Sequence, residues 1–206
     1  TRDRRVQHFE HGQALAEQAV RLDDKNAAAH FGIFCNLGEL LRVDGEKITS
    51  LLGFRKMMQE LDRTLALDPN HFESNLFLGS LLREGGQSGE ALPFAERAAR
   101  LRSEDLAAKF SLGALYVALG RTPEALPLLE QVAGVAPDHL QTQMQLAVAY
   151  HRLGRTADSA RAREAESTWA ARGSGAPPVR EVRGARGAAR RRDRPWHRSR
   201  GARGAC

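Results

Sequence analysis

The sequence predicts an all-α fold in which short helix pairs stack into an elongated array. Three observations carry the prediction. The 206-residue chain repeats itself at an offset of 34 residues. Within each period the apolar residues recur mostly at helical spacing. The composition is rich in Ala, Leu, Arg and Glu, which lose little side-chain freedom in a helix, and only 6% of residues are aromatic. Runs of Val, Ile and Thr expected of strands are missing from the sequence.

The offset is visible residue by residue. Leu78-Gly79 falls on Leu112-Gly113, Gly86 on Gly120, and Glu90-Ala91-Leu92-Pro93 on Glu124-Ala125-Leu126-Pro127. A second step places Tyr116 on Tyr150 and Leu119-Gly120-Arg121-Thr122 on Leu153-Gly154-Arg155-Thr156. Such self-similarity marks an array whose units bury their apolar faces against neighbours.

Taken in chain order, residues 8–26 read as the second helix of a truncated unit, with Phe9, Ala16, Ala19 and Leu22 on its apolar side. Residues 27–71 form a unit of about eleven extra residues, because Val20-Arg21-Leu22-Asp23 corresponds to Leu65-Ala66-Leu67-Asp68 at an offset of 45. The excess lies near 43–54, where Asp44-Gly45 opens a turn and Ile48, Leu51, Leu52 and Phe54 are apolar. It is expected either to extend a helix or to pack over the edge of the array. Units follow at 72–105, 106–139 and 140–171. In 106–139, Gly120 sits where a left-handed C-cap is wanted, Thr122 is placed to cap the next helix, and Pro123 suits a first helical position. Ala136-Pro137-Asp138 ends that helix, with Asp138 placed to cap the one after it. Residues 172–206 have the composition of a disordered tail, with Arg-Gly and Gly-Ala pairs and the run Arg190-Arg191-Arg192.

A 34-residue helix pair bearing Leu112, Gly113, Tyr116, Ala125, Leu129, Val132 and Pro137 resembles the tetratricopeptide repeat. Residues 72–105 match through Leu78, Gly79, Leu82, Ala91, Ala95 and Ala98, with Ser103 in place of the family's proline. The unit from 140 keeps Leu146, Ala147 and Tyr150, but puts Ser159, Arg163 and Glu166 at usually small or apolar positions, as a solvated end cap would. His30, Asn75, Lys109 and Gln143 replace the family's tryptophan. The resemblance implies a right-handed superhelical α-solenoid over 1–171, with a concave face lined by first helices and used to bind protein.

Carried onto this sequence, that face has three rows: Leu76, Phe110 and Met144; Ser80, Ala114 and Val148; Arg83, Val117 and His151. Phe31, Cys35 and Gly38 extend them upstream. The face is largely apolar, suiting a helix or an extended peptide. The Lys and Asn clamp by which some family members hold a C-terminal carboxylate is replaced here by Phe, Leu, Ser and Ala, with Arg83 alone able to hold an anion.

No catalytic signature stands out. His8 and His11 lie three apart, but no Cys or carboxylate cluster completes a metal site beside them in sequence. Cys35 reads as a small core residue and Met57-Met58 as gap fillers. Gly85-Gly86 is not followed by the Lys and Ser or Thr of a phosphate loop. The expectation is a binding protein without enzymatic activity, metal or cofactor, whose partner is a protein or peptide. Two cysteines, Cys35 and Cys206, imply no disulfide framework and suit a cytoplasmic setting. No stretch reaches the ~18 apolar residues of a membrane span. Two other readings stand beside the scaffold: the repeat portion of a larger enzyme or of a secretion or assembly component, and a nucleic-acid-associated protein acting through the tail, with Trp196 stacking on a base. The net charge of +6 does not favour the latter for the repeats. Eleven arginines against Glu181 and Asp193 give residues 172–206 a net of +9, leaving −3 for residues 1–171.

Overall fold

The computed structural model describes residues 2–44 and 49–174. Among them are nine helices and no strand: α1 (Arg2–Leu22), α2 (Ala27–Asp44), α3 (Thr49–Leu67), α4 (Phe72–Glu84), α5 (Ser88–Leu101), α6 (Leu106–Ala118), α7 (Thr122–Val135), α8 (Leu140–Arg152) and α9 (Thr156–Ser174). Each first helix packs on its own second helix, in the pairs α2–α3, α4–α5, α6–α7 and α8–α9. α5 then leans on α6 and α7 on α8, while the first helices α4, α6 and α8 follow one another along one side. α1 stands against α2 as the second helix of a preceding unit would.

Close approach within a pair depends on small residues at fixed places. A Cβ added to Gly113 would sit 2.9 Å from Leu129 Cγ, so α7 uses the missing side chain of α6 as a seat for Leu129. Leu129, like Leu115 and Leu61, has no solvent exposure. Burying one such leucine contributes about 1.5–3 kcal/mol. Around Leu129 gather Val117, Ala125, Leu146, Ala147, Ala149 and Ala162 from four helices. A second cluster at the other end joins Ile33, Phe34, Leu37, Met57 and Leu61, with Met58 half-buried against it. Met57 and Met58 thus fill core gaps, as the sequence suggests.

The turns inside the pairs are built alike. Gly120 takes φ 75°, a left-handed conformation that costs a side-chain-bearing residue about 1–2 kcal/mol. Its N–H donates to Val117 O at 3.1 Å and the N–H of Arg121 to Tyr116 O at 2.8 Å, closing α6 in a Schellman motif. Gly86 and Gly154 repeat the arrangement. The expected caps differ in two places. Thr122 is the first residue of α7 and is buried, so Arg121 holds the N-cap position without a side-chain cap bond. Likewise His139, not Asp138, precedes α8, and its Nδ1 lies 2.6 Å from Thr142 Oγ1. The Ala-Pro-Asp turn places His139, one residue later, at the extended backbone angles an N-cap needs.

The extra residues of the second unit lengthen both of its helices. α2 has 18 residues where α4 and α6 have 13, and α3 has 19 where α5 and α7 have 14. Five residues correspond to about 7.5 Å of helix, so this hairpin outruns its neighbours α4 and α5. The first unit is also longer than its sequence pattern: α1 begins at Arg2, and Arg2 donates to Val43 O near the far end of α2. α9 runs to Ser174, past the expected boundary at 171. Ser159, at a usually small position, is buried and donates to Ala147 O at 3.0 Å, while Arg163 is exposed as expected of an end cap. The tail from 175 onward lies outside the described residues.

Candidate protein-binding face

The expected face does exist as one side of α2, α4, α6 and α8, but its residues are unequally accessible. In the interior of the array each first helix is pressed by the next. Val117 retains 3% of its surface and Ala114 2%, because α8 lies against α6 and Val117 joins the Leu129 cluster. These two are corrections to the sequence reading: they are floor and core, out of a ligand's reach. Leu76 is half-buried against Phe72, Ala98 and Ala108. Ser80 is half-buried and its hydroxyl lies 3.2 Å from that of the buried Ser111, a pair that ties α4 to α6.

The two aromatic members are partly roofed by the turn that follows their unit. Phe31 lies 4.5 Å from the ring of His71, and Phe110 meets His139 edge-on at 5.1 Å. Sequence reasoning passed over these histidines. Their spacing of 68 residues, twice the period, is the signal that was available.

Arg83 is a half-buried cation of the face. Its guanidinium reaches Glu84 at 3.4 Å, while its Nε is buried with no hydrogen-bond partner. A buried unpaired donor costs about 1–3 kcal/mol, so an anionic or carbonyl group brought to this place would recover part of that cost.

On α8 the rows emerge into solvent. Met144 is 44% exposed, Val148 42%, and His151 lies beside them in the open. Their counterparts one unit earlier are Phe110, Ala114 and Val117, which α8 itself covers. α8 has no further first helix against it among the described residues, so its apolar row is the accessible end of the face.

At the opposite end the lengthened hairpin borders the face without closing it. Phe54 of α3 joins Phe34, Cys35, Gly38 and Phe77 around a cleft between α2 and α4 and stays 44% exposed. Cys35 is half-buried and is not a free thiol, contrary to the expectation of a plain core cysteine.

The tryptophan substitutes have structural work. Asn75 donates to Pro69 O at 2.9 Å and to His71 O at 2.8 Å, and Gln143 donates to Pro137 O at 2.9 Å. His30, also buried, lies 2.6 Å from Glu60 and 3.1 Å from Asp24 O. Each ties a first helix to the turn before it. On the second-helix side, Tyr116 and Tyr150 donate to Glu96 and Glu130, and Arg121 and Arg155 lie over their rings at 4.4 and 4.6 Å. Burial first, and then the Glu130 carboxylate that accepts from its hydroxyl, push Tyr150 up to about 12. Among the described residues no group of three His, Cys, Asp or Glu is placed to hold a metal ion, and His8 and His11 are both exposed.

Stacked helix hairpins closed by left-handed glycines, with a shared core and a face of first helices, define a helical-repeat solenoid. The tetratricopeptide repeat profile matches residues 59–105 and 110–177, and the chain belongs to that family. Solved structures share the fold. The chain is similar to YrrB, described as a tetratricopeptide repeat protein with an unusual peptide-binding site, with a TM-score of 0.60 at 20% identity over 80% of this chain and 79% of that one. It is similar to a double mutant of MamA RS-1, with a TM-score of 0.62 at 16% identity over 84% and 93%. A third is PilW, a type IV pilus biogenesis factor, at 0.56 and 17% identity over 80% and 71%. No curated protein matches the sequence. None of the described helices is long and apolar enough to cross a membrane.

Proposed function

We propose that the chain is an interaction scaffold that holds a helix or peptide of a partner protein along its first-helix face and carries out no chemistry of its own. The observation that carries this reading is the open apolar row on α8. Met144 and Val148 are each more than two-fifths exposed at the places that, one unit earlier, bury Phe110 and Ala114. A guest helix lying on α8 would repeat the contact that α8 makes with α6. Full burial of an apolar side chain contributes about 1.5–3 kcal/mol before ordering costs. Phe31, Leu76, Ser80 and Arg83 continue the face toward the other end, where Arg83 offers a donor to a guest's carboxylate or carbonyl. YrrB's peptide-binding site is consistent with such a use of the fold. The cytoplasmic setting expected from cysteine usage loses its support, because Cys35 is not a free thiol.

Photo-crosslinking tests the proposal. A benzophenone amino acid at Val148 in the full chain is expected to trap a discrete protein partner, and the same group at Gln131, on the exposed side of α7, is expected to trap none. Equal labelling from both positions, or none from Val148, would refute the assignment of the face.

A further inference from the structure

We propose that the tip of the α2–α3 hairpin is a docking site for an anionic lipid bilayer. The tip stands about 7.5 Å beyond the neighbouring hairpin, because each of its helices has five additional residues. On the first turn of α3, Leu51 is 75% exposed and Leu52 73%, with Phe54 at 44% beside them. Helical geometry sets these outward. Gly53 faces Leu41 and Met57 is buried, which fixes the inner side of α3 and leaves Phe54, Leu51 and Leu52 on the outer arc.

Basic side chains stand just behind this apolar tip. Arg55 and Lys56 are exposed on the next turn of α3, and Arg42 is exposed near the end of α2. The start of α1 lies at the same end of the molecule, because Arg2 donates to Val43 O; it adds exposed Arg4 and Arg5 against the single acid Asp3. Arg42 pairs with Glu39 and Lys56 with Glu17, both on the array side of the tip. An apolar projection with cations one turn back matches a bilayer's own layering, acyl chains beneath anionic headgroups. The height of the tip is comparable to the ~5–10 Å by which interfacial helices bury their apolar side. The projection is convex, so it favours a deformable bilayer over a preformed protein groove.

The test is flotation of the full chain with phosphatidylcholine vesicles, with and without phosphatidylglycerol. The full chain is expected to float with the anionic vesicles. The variant Leu51→Ser/Leu52→Ser, altered only at exposed positions and checked for an unchanged melting curve, is expected to lose roughly tenfold in partitioning. Arg4→Glu/Arg55→Glu should weaken binding similarly and make the remainder insensitive to salt. The proposal is overturned if the full chain stays unbound, which would leave a protein as the occupant of the tip. It is equally overturned if Leu51→Ser/Leu52→Ser floats like the parent chain, which would assign binding to the arginine-rich residues beyond 174.

Discussion

Gly113 and Leu129 act as one device. The glycine leaves the space and the leucine fills it with no exposure. Gly113→Ala is expected to destabilise by about 1–3 kcal/mol through overpacking, and Leu129→Ala by about 2–5 kcal/mol through the cavity it leaves, both read by urea unfolding. Gly120→Ala belongs to a different mechanism. Nothing lies within 4 Å of an added Cβ there, so only the left-handed φ of 75° penalises the change. The expected cost is about 1 kcal/mol, without loss of helical content by circular dichroism. Tyr150 gives a pH signature. Its hydroxyl is held up to about 12 in the fold, against about 10 in an unfolded chain. The stabilisation is therefore fully present below pH 10 and is lost as pH rises toward the folded value. Tyrosinate absorbance in the native chain should lag behind that of the urea-unfolded chain across this interval, and superimposable titrations would refute the hydrogen bond to Glu130.

At the scale of helices, much was legible in the sequence because the repeat prints itself twice or more. Leu112-Gly113, Tyr116 and Gly120 each had a counterpart 34 residues away, and one such match fixes both a helix face and a turn. The caps were misplaced by one residue because Thr122 and Asp138 carry strong cap propensity. The observed boundary is instead set by the backbone angles of Arg121 and His139. The insert was locatable by arithmetic, but its form was not, since an apolar run suits both a lengthened helix and a flap. The face was only half legible. Spacing assigned Ala114 and Val117 to the same rows as Val148 and His151, and spacing carries no information on which helix has a neighbour over it. The polar residues at the tryptophan position were equally opaque. Asn75 and Gln143 are intelligible only once the carbonyls of Pro69 and Pro137 are seen beside them.

For the whole molecule, stability is expected to be graded along the array, because each hairpin contacts only its neighbours. α6 and α7 have a hairpin on both sides. α1 contributes no buried residue, although α2 lies against it. Amide exchange should be slowest in α6 and α7 and fastest in α1 and α9, and uniform protection would contradict the modular account. The charge distribution follows the same separation of parts, with mildly acidic repeats and a strongly basic stretch beyond them. The account's central claim is that the first helices meet a guest while the second helices support them. Amide exchange of the chain with and without its cross-linked partner tests it most directly. Added protection concentrated in α8, and extending into α4, is the predicted result. Added protection on α5 and α7 with α8 unchanged would contradict it.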